Sequence, residues 1–195
     1  GEFDNMEPTP FMRVLLSAGG TAGHVLPALT VLRALKMIVS DKTCASAPAS
    51  SKLDAAPKNR ASAVEAMFVG ENGGMERDLV TREGVPFTAI HAGALNGVGA
   101  VKAVRGALRL TQGVGEALRL VGRFKPHVVL LTGGFVGIPV AIAAKLRGVP
   151  SVVYLPDIEP GQALKLMARF ADKIATTTEE SARYIDPKRM VVTGY

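Results

Sequence analysis

Cys44 is the one cysteine in 195 residues, so the chain cannot close an internal disulfide. No apolar run approaches the roughly 18 to 20 residues of a bilayer span. Val128–Leu131 and Ile138–Ala144 are each interrupted early. A secretory signal pattern is missing as well. No G-K-[ST] lysine follows a glycine loop, which argues against nucleotide triphosphate hydrolysis. Three histidines and one cysteine offer no metal-ligand spacing. Acidic residues are scarce between Val98 and Lys125, where Glu116 alone stands against Lys102, Arg105, Arg109, Arg119, Arg123 and Lys125. That stretch carries five of the six net positive charges. These absences leave a soluble, globular, cytoplasmic class, with 48% apolar and 21% charged residues. The concentrated positive charge reads either as a solvated helix face or as a site for an anionic surface: lipid headgroups, nucleic acid or an acidic ligand.

What is present is an alternation of short apolar runs with helical stretches. Strands are expected at 12–17, 65–69, 86–90, 127–132, 150–154, 172–176 and 190–193. Helices are expected at 26–39, 74–83, 100–123, 137–147, 161–170 and 179–184. Runs such as Val128-Val129-Leu130-Leu131 are apolar on both faces, as buried parallel strands are. The expected fold class is α/β, a doubly wound parallel Rossmann-like sheet with ligands at the carboxyl ends of its strands. Residues 1–11, opening on Gly1-Glu2-Phe3, are set apart as a tag or leader, and 12–195 read as one domain. Residues 40–63, rich in Ala, Ser, Lys and Pro, read as a flexible insertion. The long helix carries an apolar stripe of Val101, Val104, Leu108, Val114, Leu118 and Val121, with a break expected near Gly113. Its start, with Leu95, Val98 and Val101 beside Lys102, Arg105 and Arg109, suits a membrane surface.

Three glycine clusters follow expected strands: Gly19-Gly20-Thr21-Ala22-Gly23, Gly70-Glu71-Asn72-Gly73-Gly74, and Thr132-Gly133-Gly134-Phe135-Val136-Gly137. A parallel sheet delivers all three to one edge, where their amides suit a diphosphate. Each cluster alone also reads as a tight βα turn. His24 follows the first cluster and adds a group that exchanges a proton near neutral pH. His91 and His127 flank strands and read as structural. Asp157 and Glu159 follow the fifth strand at the same edge, as base or hydroxyl binder. A helix-capping role is favoured for Glu159. A dinucleotide site fits poorly, because Ala18 replaces the first glycine of G-x-G-x-x-G and no acid ends the second strand at the required distance.

The run Gly19-Gly20-Thr21-Ala22-Gly23-His24 with Pro27 resembles the G-G-T-x-G-H-x-x-P signature of the family 28 glycosyltransferases. The likeness extends from Met12 to Tyr195 and includes Gly93-Ala94-Leu95 through Gly99, Pro126–Pro139 and Gly148-Val149-Pro150. It implies the N-terminal, acceptor-binding half of a GT-B enzyme, the donor half lying outside this chain. It implies a UDP-sugar donor, with N-acetylglucosamine as the sugar, and a lipid-linked acceptor such as lipid I. The first and third loops would hold the acceptor diphosphate through Gly19, Gly20, Thr21, Gly23, Gly133, Gly134, Phe135 and Gly137. His24 would be the base or an orienting group for the acceptor hydroxyl, UDP would leave with inversion, and no cofactor or nucleic acid would take part. The enzyme would sit on the inner face of the cell membrane. One departure stands out: where peptidoglycan-building members read His-Glu-Gln-Asn, this chain reads Tyr154-Leu155-Pro156-Asp157. An amide has become an acceptor-only carboxylate, so Asp157 is a second candidate base. The alternatives are a non-catalytic membrane anchor that recruits a separate donor half, and an NAD(P)-binding oxidoreductase domain.

Overall fold

The computed structural model describes residues 12–45, 64–71, 73–92 and 100–194. Strands β1 (Met12–Ser17), β2 (Val64–Glu71), β3 (Phe87–Ile90), β4 (Val128–Leu131), β5 (Ser151–Leu155), β6 (Lys173–Thr176) and β7 (Met190–Val192) pair in parallel, in the order β3-β2-β1-β4-β5-β6-β7. The connecting helices are α1 (Ala22–Ala45), α2 (Glu76–Arg82), α3 (Ala100–Phe124), α4 (Gly137–Leu146) and α5 (Gln162–Phe170), with a 3-10 turn at Glu179–Arg183.

Strand periodicity assigns side chains to two cores. Val14, Leu16, Phe68 and Leu130 face Val25, Ala28, Leu29 and Leu32 of α1 and Val80 of α2. Leu15, Val69, Val129, Leu131, Val153 and Leu155 face Ala117 and Val121 of α3, Ile138 of α4 and Met167 of α5. Each such fully buried side chain contributes about 1.5–3 kcal/mol. Both faces of the central strands are therefore dry, which accounts for their unbroken apolar runs.

Every expected strand is present, its ends shifted by two residues at most. Two helices differ from expectation. α1 begins at Ala22 rather than 26, because the carbonyl of Thr21 already accepts the amides of His24 and Val25. It also runs on to Ala45, so the first residues of the expected 40–63 insertion are helical; 46–63 lie outside the described residues. Over Ala22–Val39 this helix is long and apolar enough to cross a membrane, with mean hydropathy 1.4, contrary to the expectation that no segment approaches that test. Its buried face lies on the sheet.

α3 is continuous, and the break expected near Gly113 is absent. Glycine serves close approach there: a Cβ on Gly113 would collide with the carbonyl oxygen of His91 and touch Pro139 of α4. Among the residues of α3 whose burial is described, Gly106, Gly113, Ala117, Val121 and Phe124 are buried, while Leu108 of the expected stripe is 61% exposed. Glu116 on the same helix accepts from the His91 amide and lies 2.8 Å from its Nδ1, tying α3 to the end of β3. Burial raises the Glu116 carboxyl; the His91 hydrogen bonds, then the charges of His91 and Arg119, outweigh it and hold the group below its ordinary value. His127 accepts from the amide of Arg13. Both histidines are structural ties, as expected.

Candidate functional site

The strand order reverses between β1 and β4, which are neighbours although α1, α2 and α3 intervene in sequence. Helices therefore leave the sheet toward opposite faces at this point, and a crevice opens beyond the carboxyl ends of the two strands. The first glycine loop follows β1 and the third follows β4. They meet in a cavity of about 350 Å³ lined by Gly19, Gly20, His24, Glu71, Gly134, Phe135 and Gly161–Leu164. Residues from β2 and the start of α5 complete its wall.

The loops touch closely. A Cβ on Gly134 would lie 2.7 Å from the backbone of Gly19, and Gly134 has φ +79°, a region costly for other residues. Gly133 lies directly against the His24 ring, so any side chain there would occupy the imidazole's space. The half-buried His24 has its Nδ1 3.2 Å from the hydroxyl of Thr21. With Nδ1 held in that way, Nε2 is the nitrogen left for a ligand.

First-turn chemistry separates these helices from their neighbour. α1, α4 and α5 carry no acidic residue in their first turns, and no side chain caps α4 or α5. Their first amides lack intrahelical acceptors, and the helix dipole makes that end attractive to anions. α2 instead carries Glu76 and Asp78 in its first turn. The start of α5 thus brings uncapped donors to the cavity wall, beside Glu71 at the end of β2.

Residues 56–176 match the model of the glycosyltransferase family 28 N-terminal domain. The chain belongs to family 28. It is 41% identical over 182 residues to the UDP-N-acetylglucosamine--N-acetylmuramyl-(pentapeptide) pyrophosphoryl-undecaprenol N-acetylglucosamine transferase of Roseiflexus sp. (strain RS-1), covering 90% of this chain and 40% of that protein. The Bacillus licheniformis protein of the same name is 31% identical over 183 residues, 94% of this chain and 44% of that one. The crystal structure of Acinetobacter baumannii MurG superposes with a TM-score of 0.68 at 21% identity, over 94% of this chain and 45% of that chain. The fold is that of the N-terminal half of a GT-B glycosyltransferase. This family 28 domain spans less than half the length of the relatives it matches.

The domain brings some of the residues singled out from sequence together and leaves others apart. Gly19, Gly20, His24, Gly134 and Phe135 share the cavity wall. Thr21 and Gly133 serve the ring of His24. Gly23 lies exposed in the first turn of α1. Gly137 is buried against Met167 of α5, where a Cβ would strike the thioether. Asp157 is exposed, lies outside the cavity lining and forms no hydrogen bond or ion pair among the described residues. Glu159 caps nothing, contrary to the favoured reading: Gly161 occupies the N-cap of α5, and Glu159 pairs with Lys165 at 3.0 Å. Of the basic, apolar patch, Leu95 and Val98 lie outside the described residues. Val101, Lys102 and Arg105 fall on the first turns of α3, and Arg109 is exposed one turn later.

Glu76 escaped the sequence reading, and Thr132, the first residue of the third cluster, was given no role of its own. Glu76 is 2% exposed and accepts the amide of Glu71 at 2.9 Å, wedged against Gly70 and Gly74. Thr132 is 1% exposed and donates its hydroxyl to the carbonyl of His24 at 2.6 Å. A lone glutamate in a helix's first turn and a threonine ending a strand carry no local signal of burial.

Proposed function

We propose that this domain binds the pyrophosphate of a lipid-linked acceptor, as half of an inverting, membrane-associated glycosyltransferase. The whole protein transfers N-acetylglucosamine from a UDP donor, which binds in the second half. The observation that carries this reading is the junction of the β1 and β4 loops, where Gly19, Gly20, Gly134 and the uncapped start of α5 line one cavity with His24. The relatives' shared name supports the acceptor: a pyrophosphoryl-undecaprenol carrying N-acetylmuramyl-pentapeptide, of the kind called lipid I.

The Gly19-Gly20 and Gly134 amides and the start of α5 hold the diphosphate. Phe135 and Leu164 give the cavity an apolar wall. His24 Nε2 takes the proton of the acceptor hydroxyl as its oxygen attacks the anomeric carbon of the donor. The anomeric C–O bond to UDP breaks, its electron pair leaves with UDP, and the configuration inverts. His24 is preferred to Asp157 as base because it lines the cavity and Asp157 does not. The basic start of α3, with Lys102, Arg105 and Arg109, faces anionic lipid on the inner side of the membrane.

In the full-length transferase, His24→Ala lowers turnover at least about a hundredfold, the ordinary scale of a lost general base. Asp157→Asn leaves turnover within about twofold by the same criterion. Steady-state transfer from a radiolabelled UDP sugar measures both. Full activity of His24→Ala with collapse of Asp157→Asn reverses the assignment.

A further inference from the structure

We infer that Thr132 is a positioning residue for His24, fixing the base from the opposite side of the strand crossover. This inference rests on the reading of His24 as the base.

The hydroxyl of Thr132 donates to the carbonyl of His24 at 2.6 Å, although the two residues are 108 positions apart. The Thr132 amide also donates to the carbonyl of Ser17 at the end of β1, at 3.1 Å. One buried residue at the end of β4 therefore ties the strand that precedes the histidine loop to the histidine itself. The next residue, Gly133, supplies the surface on which the ring rests. Thr132 and Gly133 thus act on His24 through different atoms: the hydroxyl holds the main chain, and the missing side chain seats the imidazole.

An external tether matters because α1 is weakly held from within at this point. Pro27 sits inside α1 and has no N–H, so the carbonyl of Gly23 loses its intrahelical partner. Gly23 adds backbone freedom to the same turn. Leaving a buried hydroxyl unpaired is costly, and this one finds its acceptor in the loosened turn. Catalytic groups lose rate steeply when displaced by about 1 Å, so a bond that fixes the backbone of the base acts on turnover without touching substrate.

Threonine to valine keeps the shape and removes the donor; threonine to serine keeps the donor and removes a methyl group. The domain holds three histidines, so its imidazole resonances are few enough to assign, and His91 and His127 are internal controls for global structure. In Thr132→Val the His24 ring signals shift and broaden while those of His91 and His127 stay in place; in Thr132→Ser all three match the parent. In the full-length transferase, Thr132→Val loses at least about tenfold in kcat, with KM within about twofold, and Thr132→Ser recovers to within about threefold of the parent. An unmoved His24 signal with parental kcat in Thr132→Val overturns the inference. So does a loss carried by KM alone, or a Thr132→Ser variant as impaired as Thr132→Val, which would assign the effect to packing of the methyl group. His24→Ala assayed alongside separates the two readings: if it is fully active the base assignment fails, whereas an inactive His24→Ala with an unaffected Thr132→Val removes the positioning role alone.

Discussion

Glu76 is a buried carboxylate that forms no ion pair among the described residues. Burying such a group is costly unless its oxygens are used, and here Oε1 takes the amide that ends β2. Gly74 stands where any side chain would strike the same carboxylate. Part of the second glycine cluster therefore makes room for Glu76, and among the described residues of that cluster Glu71 reaches the cavity wall. Removing the acceptor leaves the Glu71 amide unpaired, whereas an amide side chain still offers an oxygen. Glu76→Ala accordingly lowers unfolding stability by about 1–3 kcal/mol, and Glu76→Gln by less than about 1 kcal/mol. Urea midpoints of the two variants check this; equal losses would show that the Glu71 amide does not depend on the carboxylate.

Elements were legible in proportion to how locally they are determined. The strands announced themselves through apolar runs that burial on both faces requires, and β1 matches its expected bounds. α3 was misjudged because propensity treats glycine as a helix weakener. In the fold, Gly113 and Ala117 let α3 lie close to α4 and the end of β3, and that packing outweighs the propensity cost. The buried face adds small residues that an apolar stripe search passes over: Val121 and Leu118 of the stripe pack on the core, Gly113 and Ala117 join them, and Leu108 points outward. Gly113→Ala, a stabilising change in an exposed helix, is here destabilising by about 1–3 kcal/mol through overpacking against the His91 carbonyl. Thermal unfolding of that variant measures it. A rise in melting temperature would mean that α3 is free to move away from β3, and the small-residue account of its packing would fall.

At the scale of the whole molecule, the crossover between β1 and β4 decides where the site lies. The doubly wound pattern in the sequence was enough to place the glycine loops at one edge, and the signature ending in His24 marked which loop mattered. Contacts between loops distant in sequence were not legible: nothing near Thr132 signals the His24 carbonyl, and nothing near Asp157 signals that α5 begins too late to bring it to the cavity. The topology also supplies a competitor. A groove of about 270 Å³ beside α5 and β6 is lined by Lys165, Arg169, Asp186 and Arg189 and offers basic side chains in place of backbone amides, although Lys165 is paired with Glu159 and Arg189 with Asp186.

Amide chemical-shift mapping of this domain with a short-chain prenyl diphosphate sets the two against each other. Saturable shifts at Gly19, Gly20, His24 and Gly134, reduced when inorganic phosphate replaces the ligand, are the result the crossover cleft predicts. Shifts gathered at Lys165, Arg169 and Arg189, with the β1 and β4 loops silent, would contradict it.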